Sequence, residues 1–114
     1  MKIDQYEFGK IVIDGKTYTS DVIIYPGKVD PSWWRKEGHR LQPVDLEQVV
    51  REMPDILVVG TGNVGAMDVP RETLSFLRSQ GIDVQVAPTE KAVEIFNGLQ
   101  KENIKIVAAL HLTC

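Results

Sequence analysis

With 114 residues, 43% of them hydrophobic and 25% charged, the chain has the size and balance of one globular domain with its own core, not of a disordered or fibrous protein. Thirteen basic against sixteen acidic residues leave a net charge of −3, which argues against a nucleic-acid footprint or an anionic membrane surface, since both need clustered Lys and Arg. The single cysteine, Cys114, rules out an internal disulfide and gives no sign of an oxidising compartment.

Residues Met1 to Gly9 mix Lys2, Asp4, Gln5 and Glu7 with apolar positions, unlike a signal peptide. The apolar run Ile56–Val59 is far too short to cross a bilayer, so no membrane insertion is expected and the expected location is the cytoplasm.

The first clear element is a hairpin. Ile11-Val12-Ile13 and Lys16-Thr17-Tyr18 flank Asp14-Gly15, a pair suited to a type I′ turn because both central residues need positive φ. Val22–Tyr25 continues or follows the returning strand, and Pro26-Gly27 ends it. Residues 26–43 read as a long ordered loop, because Trp33 and Trp34 carry too much apolar surface for a solvated linker. A helix follows, with Asp45 as N-cap and Gln48 completing a capping box. Leu46, Val49, Val50 and Met53 form its inner face, and Pro54 stops it.

Ile56–Val59 has the continuous apolar character of a parallel strand covered on both faces, and Gly60–Gly65 is the loop after it. Pro70 opens a second helix with Leu74 and Leu77 inward and Gly81 just past its end. Val84–Val86 is the next strand. Thr89 is the expected N-cap of a third helix buried through Ala92, Val93, Phe96 and Leu99, with Asn97-Gly98 weakening its last turn. Ile106–Leu110 is the final strand. Strands alternating with helices predict an α/β fold in one domain spanning residues 1–114. Its mixed sheet of about five strands combines a βαβαβ unit with the N-terminal hairpin, which is expected to extend that sheet.

This set of residues resembles a family of small α/β domains of unassigned biochemical function. The family includes the adipogenesis-associated domain proteins and a mitochondrial assembly factor for respiratory complex I (NADH:ubiquinone oxidoreductase). The resemblance rests on Trp34-Arg35 with Gly38-His39 and Leu41, on Pro54 with Leu57-Val58-Val59-Gly60-Thr61-Gly62, and on Gly81-Ile82. It continues through Thr89 with Ala92, Asn97 with Leu99, and Ala108–Cys114. It implies the α/β fold and, from the complex I member, a non-catalytic assembly role.

Two residue groups carry candidate function. Gly60-Thr61-Gly62-Asn63-Val64-Gly65 fits G-x-G-x-x-G directly after a buried strand, where backbone N–H groups can face an anion. Against a dinucleotide, Pro70 delays the helix and Asp83 lies at the start of the second strand, not at its end, so no cofactor is predicted. A small anion or metabolite remains open, with Gly60, Thr61, Gly62 and Asn63 joined at the carboxyl ends of the strands by Thr89 and His111. A tight structural turn is the competing reading. The second group is Trp34, Arg35, His39 and Arg40, an aromatic and cationic loop suited to a protein partner. Its competing reading has one tryptophan covering the core while Arg35 pairs with an acid.

No metal ligand spacing and no catalytic constellation is visible. His39 and His111 are far apart in the chain, and Asp68 and Glu72 suit the start of the second helix. The expected function is a non-catalytic binding or assembly-type module. The alternative is a small-anion or metabolite-binding protein, possibly an enzyme, working at the glycine loop.

Overall fold

The computed structural model describes all residues, Met1 to Cys114. Eight strands and three helices follow one another as β1 (Ile3–Glu7), β2 (Lys10–Ile13), β3 (Lys16–Tyr18), β4 (Val22–Tyr25), β5 (Lys28–Asp30), α1 (Glu47–Glu52), β6 (Ile56–Thr61), α2 (Arg71–Ser79), β7 (Asp83–Ala87), α3 (Thr89–Leu99) and β8 (Ile106–His111). Five strands form a mixed sheet in the order β5-β4-β8-β6-β7, with β6 parallel to both β7 and β8 and with β4 antiparallel to β8 and β5. The expected α/β class and the βαβαβ unit are therefore present.

The N-terminal hairpin does not extend this sheet. It joins β1 in a separate three-stranded antiparallel sheet, and the antiparallel strands of the main sheet are β4 and β5 instead. The reason lies in apolar burial. Ile3, Ile11 and Ile13 are buried and pack with Ala92 and Phe96 of α3 and with Val22, Ile24 and Ala108 of the main sheet. The small sheet thus covers the face that α3 alone leaves open. Asp14 and Gly15 adopt φ of 47° and 80°, as a type I′ turn requires.

The opposite face of the main sheet presents Ile23, Leu57, Val59, Val107 and Ala109 to Leu46 and Val49 near α1, to Leu77 of α2, and to Trp33 and Leu41 of the loop. The structure differs locally from the sequence expectation before α1. A 3-10 turn spans Pro43–Leu46, and Asp45 lies within it, accepting the N–H groups of Gln42 at 2.8 Å and Lys36 at 2.9 Å. Gln48 is not part of a capping box and instead bonds Glu52. Met53 is exposed with φ of 50°, because Val50's carbonyl captures its N–H in a left-handed cap.

The Asn97-Gly98 pair does not loosen α3. Asn97 Nδ2 donates to the Ile3 carbonyl at 2.8 Å, and its Oδ1 accepts the Ile3 N–H at 3.0 Å. A residue of low helix propensity therefore pins the small sheet to the helix. Asn97→Ala should destabilise the domain by about 1–2 kcal/mol, the scale of half-buried backbone groups losing their partners. Urea unfolding measures this, and amide exchange should accelerate first in β1.

Candidate functional site

The carboxyl ends of β6 and β8 lie side by side, with Thr61 and His111 as register partners. Thr89 does not cap its helix. Its hydroxyl donates to the His111 carbonyl at 2.6 Å and accepts the Gly62 N–H at 2.9 Å, joining α3, the glycine loop and β8. Gly60 is required by this proximity, since a Cβ there would lie 2.8 Å from Thr89 Oγ1. Gly62 is required twice over. Its φ is 109°, and a Cβ would lie 2.6 Å from the Cys114 oxygen and 2.9 Å from His111 Cδ2.

The loop's N–H groups face the chain's own last residues. Asn63 N–H donates to the Thr113 carbonyl at 2.6 Å, and those of Val64 and Ala66 donate to the Cys114 oxygen at 3.3 and 3.0 Å. Gly65 N–H bonds within the loop, and Met67 N–H returns to the Thr61 carbonyl. On the other side of Thr61, an open cleft of about 550 Å³ runs between Gly65, Leu74 and Pro88.

The second residue group meets the first at His111. Trp33 is buried, with its indole N–H donating to the Asp45 carbonyl at 3.1 Å, while the next residue, Trp34, is 76% exposed. Arg35 turns inward across the Trp33 ring, its guanidinium carbon 4.6 Å from the ring centroid. It donates to the Gly38 carbonyl through Nη2 at 2.7 Å and Nε at 3.2 Å, and its Nη1 lies 2.9 Å from Asp21 Oδ2. The same carboxylate oxygen lies 2.8 Å from His111 Nδ1, and the other oxygen accepts the Leu112 N–H at 2.8 Å.

Burial alone would push the Asp21 carboxyl up. The hydrogen bonds from His111 and Leu112, the charge of His111 and the bond from Arg35 outweigh it and hold Asp21 below its ordinary value. His111 Nδ1 also lies 3.1 Å from Arg35 Nη2, so it donates to Asp21 in one tautomer and accepts from Arg35 in the other. His111 Nε2 is turned away from Asp21, buried and without a partner in the chain. His39 stays exposed and meets the His111 ring edge-on, with centroids 5.6 Å apart. Arg40 is exposed and pairs with Glu72 at 3.3 Å.

Of the residues singled out from the sequence, Gly60, Thr61, Gly62, Thr89, His111, Arg35 and His39 thus gather at one end of the sheet, whereas the side chains of Asn63, Trp34 and Arg40 face solvent. Asp21 escaped notice. The only signal was an acid placed directly before the wholly apolar Val22–Tyr25. No three His, Cys, Asp or Glu side chains are grouped to hold a metal. No helix is long and apolar enough to cross a membrane.

The mixed sheet with helices on it, closed at the carboxyl end of its parallel strands by Asp21, His111 and Arg35, is that of a small α/β domain. The model of the family described as protein of unknown function (DUF498/DUF598) matches residues 3–111, and the chain belongs to that family. It is similar to the conserved hypothetical protein PH1505 from Pyrococcus horikoshii OT3, at 31% identity and a TM-score of 0.81 over 100% of both chains. It is similar to the protein MT938 at 26% identity and a TM-score of 0.82, covering 99% of this chain and 98% of that one. A Mth938-like domain from Bordetella pertussis shares the fold at 19% identity and a TM-score of 0.71, over 97% of this chain and 85% of its own.

Asp21→Asn leaves the Arg35 charge buried without its counter-ion and should cost about 3 kcal/mol in urea unfolding. Because the folded pKa of Asp21 is depressed, its contribution is present above the unfolded value of 3.8 and is lost as pH falls through the folded value. Below pH 3.8 the parent should therefore lose stability more steeply than Asp21→Asn. Separately, Gly62→Ala should destabilise by roughly 2–3 kcal/mol from left-handed strain, read in the same assay.

Proposed function

We propose that this domain is a non-catalytic recognition module of the assembly-factor type, acting in the cytoplasm and docking a protein partner on the loop around Trp34. The observation that carries the reading is the contrast between adjacent tryptophans. Trp33 is anchored in the core and Trp34 is 76% exposed. An indole held out on a fixed loop is a preorganised anchor, which lowers the ordering entropy of binding. Arg35 serves here as the residue that holds the loop, since its guanidinium is engaged by Asp21 and Gly38. His39 and Arg40 are exposed five and six residues further along the same loop, and in this reading they supply polar contacts at the rim. The resemblance to a complex I assembly factor and to adipogenesis-associated proteins supports the same reading.

A second reading keeps the small anion or metabolite. It is favoured by the buried, unpartnered Nε2 of His111 beside Gly62. Such a ligand would have to replace the oxygens of Thr113 and Cys114 on the loop's N–H groups. Native mass spectrometry of gently purified protein separates the two. A discrete added mass lost in Gly62→Ala supports the ligand, and an apo chain removes its support.

For the first reading, Trp34→Ala should leave the melting temperature unchanged within error, because the side chain buries little. A partner captured by the parent should bind the variant about 30-fold or more weakly, the scale of an aromatic hot spot. Unchanged partner affinity would sink the assignment of this surface.

A further inference from the structure

The main sheet has two open edges, β5 and β7. β5 is three residues long with Lys28 and Asp30 at its ends, the charged and short form in which natural edges are defended. β7 has five residues, Asp83-Val84-Gln85-Val86-Ala87, with no Lys and no Pro, and it pairs with β6 over all five without a bulge. The direction of its backbone groups follows from its inner partners. Asp83 donates its N–H to the Asp55 carbonyl at 3.0 Å, and the Ala87 carbonyl accepts the Thr61 hydroxyl at 3.2 Å. Those residues and Gln85 therefore face β6, and the alternation of a strand turns the N–H and C=O groups of Val84 and Val86 outward. Of these outward groups, the Val84 N–H is held by Asp83 Oδ1 at 3.0 Å. Val86 is 43% exposed, and Val64 on the neighbouring loop is 75% exposed across the mouth of the open cleft.

We propose that a second copy of this chain docks antiparallel on β7, about a two-fold axis through Gln85, making one continuous ten-stranded sheet. The edge is self-complementary in that register. Val84 meets the partner's Val86 as a hydrogen-bonded pair, and the symmetric pair repeats it, so that four inter-chain bonds use the outward groups of both strands once each Val84 N–H exchanges Asp83 Oδ1 for the partner's Val86 carbonyl. A slip of one residue opposes outward groups to inward ones and removes the ladder. Asp83 lies opposite the partner's Ala87, and the two Asp83 carboxylates fall at opposite ends of the ribbon, so no like charges face each other. Val84 and Val86 share one face of the strand, so pairing covers the exposed Val86 side chain with the partner's Val84. An edge of five residues is small beside a standard interface of about 1,600 Å², so the association is reversible and concentration-dependent.

Sedimentation velocity on the intact chain, from about 10 µM to about 1 mM, tests this in the range where weak association is read. The weight-average mass should rise from 12.8 kDa toward twice that value, and the Val86 amide should exchange more slowly as concentration rises. Val86→Lys, at a position already exposed, should stay folded by circular dichroism and weaken association at least ten-fold. Asp83→Ala frees the Val84 N–H and removes a charge, and should strengthen association several-fold. A monomer mass at every concentration would overturn the proposal. So would a dimer that Val86→Lys leaves intact, or one whose Val86 amide exchange does not respond to concentration.

Discussion

The carboxylate of Asp21 sits where three parts of the chain converge, and the rest of the upper end of the domain depends on it. It stands at the start of β4, takes the Leu112 N–H on one oxygen, and faces both His111 Nδ1 and Arg35 Nη1 with the other. Its own carbonyl accepts the Trp33 N–H at 2.8 Å. One side chain and one peptide unit therefore tie the end of β8 and the tryptophan loop to the main sheet. A buried charge pair adds little net stability over an apolar pair, but removing one member leaves the other stranded. The arrangement thus acts as a constraint on geometry: Arg35 has one acceptable position, Trp33 packs beneath it, and Trp34 is turned outward as a result.

The glycine loop is set by a similar constraint, expressed through the backbone. Thr89 reaches from α3 to both Gly62 and His111, and this draws helix and strand so close that Gly60 has no room for a Cβ. The loop then curls round the last residues, and its N–H groups find carbonyl partners there. In a dinucleotide site such groups point at a pyrophosphate from the start of a helix. Here α2 begins only at Arg71, several residues beyond the motif, and the N–H groups serve the chain itself. The glycine pattern is the same in both cases because close backbone approach demands it, whatever approaches.

Much of the fold was legible because apolar periodicity and turn chemistry are local. Ile56–Val59 reads as a doubly covered strand, and Asp14-Gly15 takes the two positive φ values its turn type needs. The strands that escaped notice, β1 and β5, have few buried residues, so their patterns carry little signal. The hairpin was legible as a hairpin but not as a separate sheet. Which surface its isoleucines cover is decided by the size of α3 and by the exposed area it leaves, and no local pattern encodes that. Asn97 shows the same limit: its low helix propensity is visible in the sequence, whereas its two bonds to Ile3 arise only when β1 lies against α3.

For the site, the residue types were legible and their partnerships were not. Gly60, Gly62, Thr89 and His111 stood out by kind and by position at strand ends, and Arg35 by its kind on the tryptophan loop, and they do meet. Asp21 carried no local mark, because a lone acid before an apolar run is ordinary until the fold brings His111 and Arg35 to it. By itself, then, the sequence determined the α/β class, the order of the main elements, and the end of the sheet where polar groups collect. These follow from hydrophobic period, turn residues and the geometry of parallel strands. The tertiary structure alone decided that the hairpin forms its own sheet, that Asp21 joins His111 to Arg35, that the glycine loop holds the last residues, and that β7 is an open edge. Each of these depends on contacts between segments distant in the chain, whose geometry is set by packing and not by local preference.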